Sequence, residues 1–136
     1  MTTSAWVLTA FIGWALALLI LMEALRARLV ASGRVASNAI APDNAGLSPF
    51  MQRLARAHAN CVEGLPIFGG LLIVTIATDR TGITDPLAIW LLVARIVQSS
   101  VHLASTSVAA VNLRFAAFVV QLAIAAYWTL RLLASA

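Results

Sequence analysis

The sequence predicts an all-α integral membrane protein, a bundle of four transmembrane helices, on three observations. Of its 136 residues 62% are hydrophobic and only 10% charged, and the mean hydropathy is +0.95. That composition is far from an ordinary soluble domain. A hydrocarbon core about 30 Å thick is crossed by roughly 20 helical residues, so the chain has length for four spans and short connections, with no separate soluble domain expected.

The basic balance has no nucleic-acid character. Nine Arg and no Lys stand against five acids, for a net charge of +4. The Arg are scattered rather than interleaved with aromatics, so nucleic acid is not an expected partner. Cys61 is the only cysteine, which excludes an intrachain disulfide and a Cys-rich metal site. His58 and His102 are too few and too far apart to suggest metal ligation.

Span 1 is expected over about 5–24. Its apolar run from Ala5 to Met22 is longer than a signal-peptide core and follows no Lys or Arg, so it reads as a retained helix. It ends in Glu23, Arg26 and Arg28, with Trp6 and Trp14 as candidates for the interfacial aromatic belt. Residues 31–48 are small and polar, with Gly33, Pro42, Asp43, Asn44 and Gly46, and belong to one long loop spanning about 28–48. Ser48 and Pro49 are a good N-cap and first-turn pair, so span 2 is expected over about 50–78. It opens with the polar run Phe50 to Glu63 and continues through an apolar run to Thr78. Pro66 lies inside it and removes one backbone donor, which predicts a kink next to Glu63. A tight connection from Asp79 to Asp85 leads to Pro86 and span 3, about 86–104, and span 4 covers about 109–133, ending near Trp128 and Arg131.

The Arg near the span ends set an expected orientation. Arg26, Arg28, Arg34, Arg53 and Arg56 flank the first loop and Arg114 the third connection, against Arg80 and Arg131 on the opposite side. The positive-inside rule then places the first and third loops in the cytoplasm and both termini outside.

Ionisable groups inside spans are costly and usually face a bundle interior or a wet cavity. At about 100° per residue and with Arg56 as zero, Arg53 falls near 60°, Asn60 near 40° and Glu63 near −20°, a single polar stripe. His58 lies roughly opposite. With Arg95 as zero on span 3, Ser99 falls near 40°, Gln98 near −60° and His102 near −20°, a second stripe. The two faces are expected to meet, with Arg95 pairing to Glu63, because either charge alone at that depth is expensive. Simpler readings stand beside the functional ones. Arg26, Arg28 and Arg34 also serve as topology determinants, Arg53 as a solvated side chain, His58 as a packing residue and Cys61 as a small filler. Gln98 and Ser99 also suit hydrogen bonds between helices. Arg56, Asn60, Glu63, Arg95 and Arg114 are harder to explain by packing alone, since groups of both signs converge at one depth.

The string Arg53-Leu54-Ala55-Arg56-Ala57-His58-Ala59-Asn60-Cys61-Val62-Glu63-Gly64-Leu65-Pro66-Ile67-Phe68 resembles the second-helix signature of the membrane-associated proteins in eicosanoid and glutathione metabolism, the MAPEG family. Ala94-Arg95 in span 3, Arg26-Ala27-Arg28 at the exit of span 1 and Arg114 near the start of span 4 extend the similarity to nearly the whole chain. The resemblance implies a homotrimer of four-helix subunits that holds glutathione, as co-substrate, between neighbouring subunits near the cytoplasmic face. It implies glutathione contacts for Arg26, Arg56, Asn60 and Glu63, a buried role for Arg95, and thiolate stabilisation by Arg114. Separately from the resemblance, Gln98 or His102 is chemically able to donate a hydrogen bond to the sulfur. Arg forks suit the two carboxylates of glutathione and Glu63 its amine.

This chain departs from the family pattern in four places. Ala59 replaces an Arg found in the eicosanoid enzymes, Gln98 and His102 stand where His or Tyr and then Tyr are usual, and Phe115 lacks a hydroxyl present in the prostaglandin-synthase pattern. The expected activity is therefore a glutathione-dependent transferase or peroxidase acting on lipophilic electrophiles, rather than prostaglandin synthesis. Two other readings remain: a non-catalytic member of the same family that binds lipid or a partner protein, and a small four-helix exporter relying on Glu23. The second is opposed by Arg26 three residues on, which suggests a local ion pair.

Overall fold

The computed structural model describes residues 1–136, in four long helices: α1 Thr3–Ala31, α2 Pro49–Ala77, α3 Asp85–Ala104 and α4 Val108–Ala134. A single 3-10 turn, Thr81–Ile83, lies between α2 and α3. All four helices are long and apolar enough to cross a membrane.

Local chemistry fixes the helix starts. Thr2, Ser48 and Ser107 each accept a hydrogen bond at 3.2 Å from the backbone N–H three residues on, Ala5, Met51 and Ala110, and so satisfy one orphan donor of the first turn. Pro49 and Pro86 occupy first-turn positions, where the missing N–H costs nothing. α1 continues two turns past the apolar run because nothing breaks it before Gly33. There φ reaches +73°, Gly33 N–H bonds the Val30 carbonyl and Arg34 N–H the Leu29 carbonyl. This glycine-closed end is a Schellman motif. α2 runs unbroken past Pro66.

The helices run antiparallel in sequence order, and polar contacts tie both ends. At one end Ser4 donates its N–H and Oγ–H to Asp85 Oδ1 at 2.7 and 2.6 Å, and Thr84 Oγ1 lies 2.6 Å from Ser4 Oγ and 3.0 Å from Thr75 Oγ1. Arg80 donates to Ser135 Oγ at the same end. At the other end Arg53 Nε donates at 3.0 Å to the Leu103 carbonyl in the last turn of α3. Arg53 is thus a C-terminal cap of its neighbour rather than a freely solvated side chain.

In lipid there is no hydrophobic drive between helices, so close packing and polar contacts hold the bundle together. α1, α2 and α3 pack mutually around Phe11, Leu54, Phe68, Leu72 and Leu91, and the rings of Phe11 and Phe68 lie 6.3 Å apart. α4 rests chiefly on α3, through small residues such as Ala110 and Ala117 and the fully buried Trp128, and meets α2 only slightly. Trp14 corrects the aromatic-belt expectation. It packs against the core with a buried, unpartnered Nε1, about 16 Å along α1 from its start and hence deep in the span. Trp6, by contrast, is exposed near the N-terminal end.

Candidate functional site

The weak meeting of α2 and α4 leaves a groove. Its main chamber, about 500 Å³, is lined by Arg56, Ala59, Asn60 and Glu63 of α2, Gln98 and His102 of α3, and Val111, Arg114, Phe115 and Phe118 of α4. Spacing explains the arrangement: positions 56, 60 and 63, like 98 and 102, share one helical face, and α4 supplies Val111, Arg114, Phe115 and Phe118 at the same period. Arg114 is the seventh residue of α4 and Arg56 the eighth of α2, so both stand about 10 Å inside the loop end of the bundle.

The chamber opens two ways. Toward the loops Arg56, His102 and Arg114 also line a depression of about 340 Å³ with Asp43, Gln52, Arg53 and Thr106. Toward the middle of the membrane Asn60, Glu63, Gln98 and Phe118 line a further pocket of about 440 Å³, whose walls are Gly64, Ile67, Phe68, Arg95 and Leu122. One end is cationic and the other mostly apolar. A molecule with an anionic head and an apolar partner fits that gradient.

Arg56, Glu63 and Arg114 make no ion pair or hydrogen bond within the chain, whose one ion pair joins Arg26 to Glu23 at 2.8 Å. Two guanidinium groups and one carboxylate thus stand free in a shared cavity. His102 is buried among them, and the amide of Gln98 is fixed by α4: Gln121 Nε2 donates to Gln98 Oε1 at 2.9 Å and to the Ala117 carbonyl at 3.1 Å.

Arg95 is not where the two-stripe reading puts it. It is 1% exposed, with its guanidinium carbon 5.5 Å from the ring centres of both Phe11 and Phe68. Nη1 donates to the Asn60 carbonyl at 3.2 Å, while Nε and Nη2 have no partner. No carboxylate lies within ion-pairing distance, so the expected Arg95–Glu63 pair does not form. The stripes do meet, but α3 is rotated so that Arg95 points between α1 and α2, and Glu63 turns to the α4 side. Two aromatic faces and one carbonyl take the place of the counter-ion.

Arg26 also lies apart from the groove. Its Nε donates to Asn44 Oδ1 at 2.8 Å, Nη1 to Glu23 and Nη2 to the Pro42 carbonyl at 2.9 Å. Asn44, fully buried at φ +58°, donates in turn to the Met51 carbonyl at 2.7 Å. Arg26 therefore fastens the long loop against α2. The structure thus brings together Arg56, Asn60, Glu63, Gln98, His102 and Arg114, sets Arg95 in the inner wall, and leaves Arg26 at the loop.

The residue that sequence reasoning missed is Gln121. A lone amide in the apolar run of α4, fully buried in the structure, carried the only signal: a polar side chain at membrane depth needs a partner or a task.

Comparison with curated proteins and with solved structures returns no match in either case. The model of the MAPEG family matches residues 4–134. Since that stretch takes in all four helices and every residue that lines the groove, this chain belongs to the MAPEG family.

Proposed function

We propose that this protein is a homotrimeric, glutathione-dependent membrane transferase or peroxidase that attacks lipophilic electrophiles with the glutathione thiolate. One observation carries the reading: the α2–α4 groove gathers two unpaired Arg, one unpaired carboxylate, two amides and an imidazole above a mostly apolar pocket. Glutathione presents two carboxylates, one amine and a thiol. Arg56 and Arg114 suit its anionic groups as planar forks, and Glu63 suits the ammonium. Placed beside the sulfur, Arg114 favours the thiolate, which is the nucleophile, while Gln98 and His102 supply hydrogen bonds.

In the transferase step the sulfur's electron pair forms the new bond to carbon, and the leaving group departs with the old one. The thiol proton goes to water at the loop-end mouth. With a lipid hydroperoxide, attack on oxygen breaks the O–O bond, releases the alcohol and leaves a sulfenic acid; a second glutathione converts it to the disulfide and water. Apolar substrate arrives from the bilayer through the inner pocket near Ile67, Phe118 and Leu122, and glutathione from the aqueous side. By the positive-inside rule that side is the cytoplasm, with both termini outside. Arg26 lies apart from this subunit's groove, held at the loop by Asn44, Glu23 and Pro42, so its contact with glutathione is one made across the trimer, to the site of a neighbouring subunit.

The test is thiol ionisation. Purified protein with glutathione should show thiolate absorbance that Arg114→Ala abolishes, and glutathione should raise the thermal midpoint. Absence of both in the parent protein refutes the reading.

A second reading, glutathione or lipid binding without turnover, is favoured by one feature: the groove contains no phenol. Tyr127, the sole tyrosine, lies near the far end of α4 against Arg131. A stable trimer that binds glutathione at an unshifted thiol pKa would support it.

A further inference from the structure

We propose that Gln121, which lines neither chamber of the groove, sets the hydrogen-bonding polarity of Gln98 and so makes that amide a donor toward an anionic sulfur. The inference rests on the glutathione reading for its occupant, but its geometry is independent of any ligand.

The polarity follows in three steps. The Ala117 carbonyl, one turn before Gln121, can only accept, and it lies 3.1 Å from Gln121 Nε2. Reversing the Gln121 amide would set two acceptor oxygens face to face, so Nε2 must stay there. Its second hydrogen then points at Gln98, 2.9 Å away, and Gln98 must answer with its oxygen. With Oε1 so occupied, the NH₂ of Gln98 is turned to the groove that its side chain lines beside Asn60, Glu63 and His102. That Nε2 has no partner within the chain, and it is not among the sealed polar atoms.

An unconstrained glutamine presents either end of its amide. A neutral thiol accepts either, as weak acceptor to N–H or weak donor to C=O, whereas a thiolate accepts only from N–H. Fixing the donor end therefore discriminates between the two protonation states of one ligand. The arrangement leaves Gln121 Oε1 buried without a partner, a feature that packing alone gives no reason to keep. Gln121 is thus a positioning residue, acting on the sulfur through Gln98.

The experiment titrates the thiolate absorbance of bound glutathione in the parent, Gln121→Met, Gln98→Leu and the double variant, with glutathione affinity measured in each. At a pH below the midpoint, where the bound ligand is the neutral thiol, Gln121→Met should leave affinity within about threefold, because the Arg forks remain. It should nonetheless raise the titration midpoint by about one unit, a tenfold fall in the ionisation constant. Gln98→Leu should raise it equally, and the double variant no further than Gln98→Leu alone, since both remove one pathway. An unmoved midpoint in Gln121→Met, or additive shifts in the double variant, overturns the proposal. Side-chain amide hydrogen exchange on the ligand-free parent protein needs no variant to fold: Gln121 should exchange slowly and Gln98 fast. A protected Gln98 amide overturns the assigned polarity, whereas the expected order with no glutathione binding overturns only the glutathione reading.

Discussion

Gly64 makes room for the Arg95 guanidinium: a Cβ at position 64 would lie 2.7 Å from Nη2 and 2.9 Å from the Phe68 ring. The buried cation and the glycine one helix away are two halves of one packing solution. Phe11 and Phe68 flank Arg95, so its head group has little freedom to retreat.

Gly64→Ala should therefore lower the thermal stability of the purified protein. Overpacking costs about 1–3 kcal/mol, against which better helix propensity returns about 1. A net gain in melting temperature would show that Arg95 relocates freely.

Because Arg95 has no counter-ion, Glu63→Gln should leave the ligand-free melting temperature unchanged within about 0.5 kcal/mol. Glutathione affinity should fall about tenfold or more, as expected for loss of a charged hydrogen bond to the amine. Calorimetric titration beside a melting curve separates the two effects.

Arg95→Met removes a buried charge that has no counter-ion and sacrifices two cation–π contacts and one hydrogen bond to the Asn60 carbonyl, so ligand-free stability should stay within about 1 kcal/mol. A drop of about 3–5 kcal/mol, the signature of a broken buried ion pair, would contradict the geometry. Denaturation in detergent micelles measures it.

Asn44→Ala cuts the link between Arg26 and the start of α2. Loss of two hydrogen bonds, a buried one to the Met51 carbonyl and a partly buried one from the charged Arg26, should cost about 2–3 kcal/mol and make residues 32–48 sensitive to limited proteolysis. Asn44→Gly, which accepts φ +58° without strain, should be milder than Ala but still weaker than the parent.

The helices were legible because membrane thickness converts directly into apolar run length, and the start of α2 because Ser48 followed by Pro49 marks it, whereas the caps Thr2 and Ser107 carried no such paired signal. Helical spacing likewise exposed the face shared by Arg56, Asn60 and Glu63. The partner of Arg95 was not legible. Angular position is defined within one helix, and nothing local to α3 fixes its rotation against α2, which Gly64 and the two Phe rings decide. The task of Arg26 was hidden for a different reason: Asn44 returns to it from eighteen residues further on, after the chain has left α1 and passed through irregular loop. Gln121 escaped attention because one polar residue forms no stripe, although its depth in an apolar run was itself a signal.

The near-exclusive seating of α4 on α3 means that the aperture of the groove is governed from behind. Ala110 and Ala117 act as thin shims on that seam. A bulkier side chain at either should tilt α4 and change the width of the groove without altering a single lining residue. The width of the groove is therefore set in part by positions that do not line it.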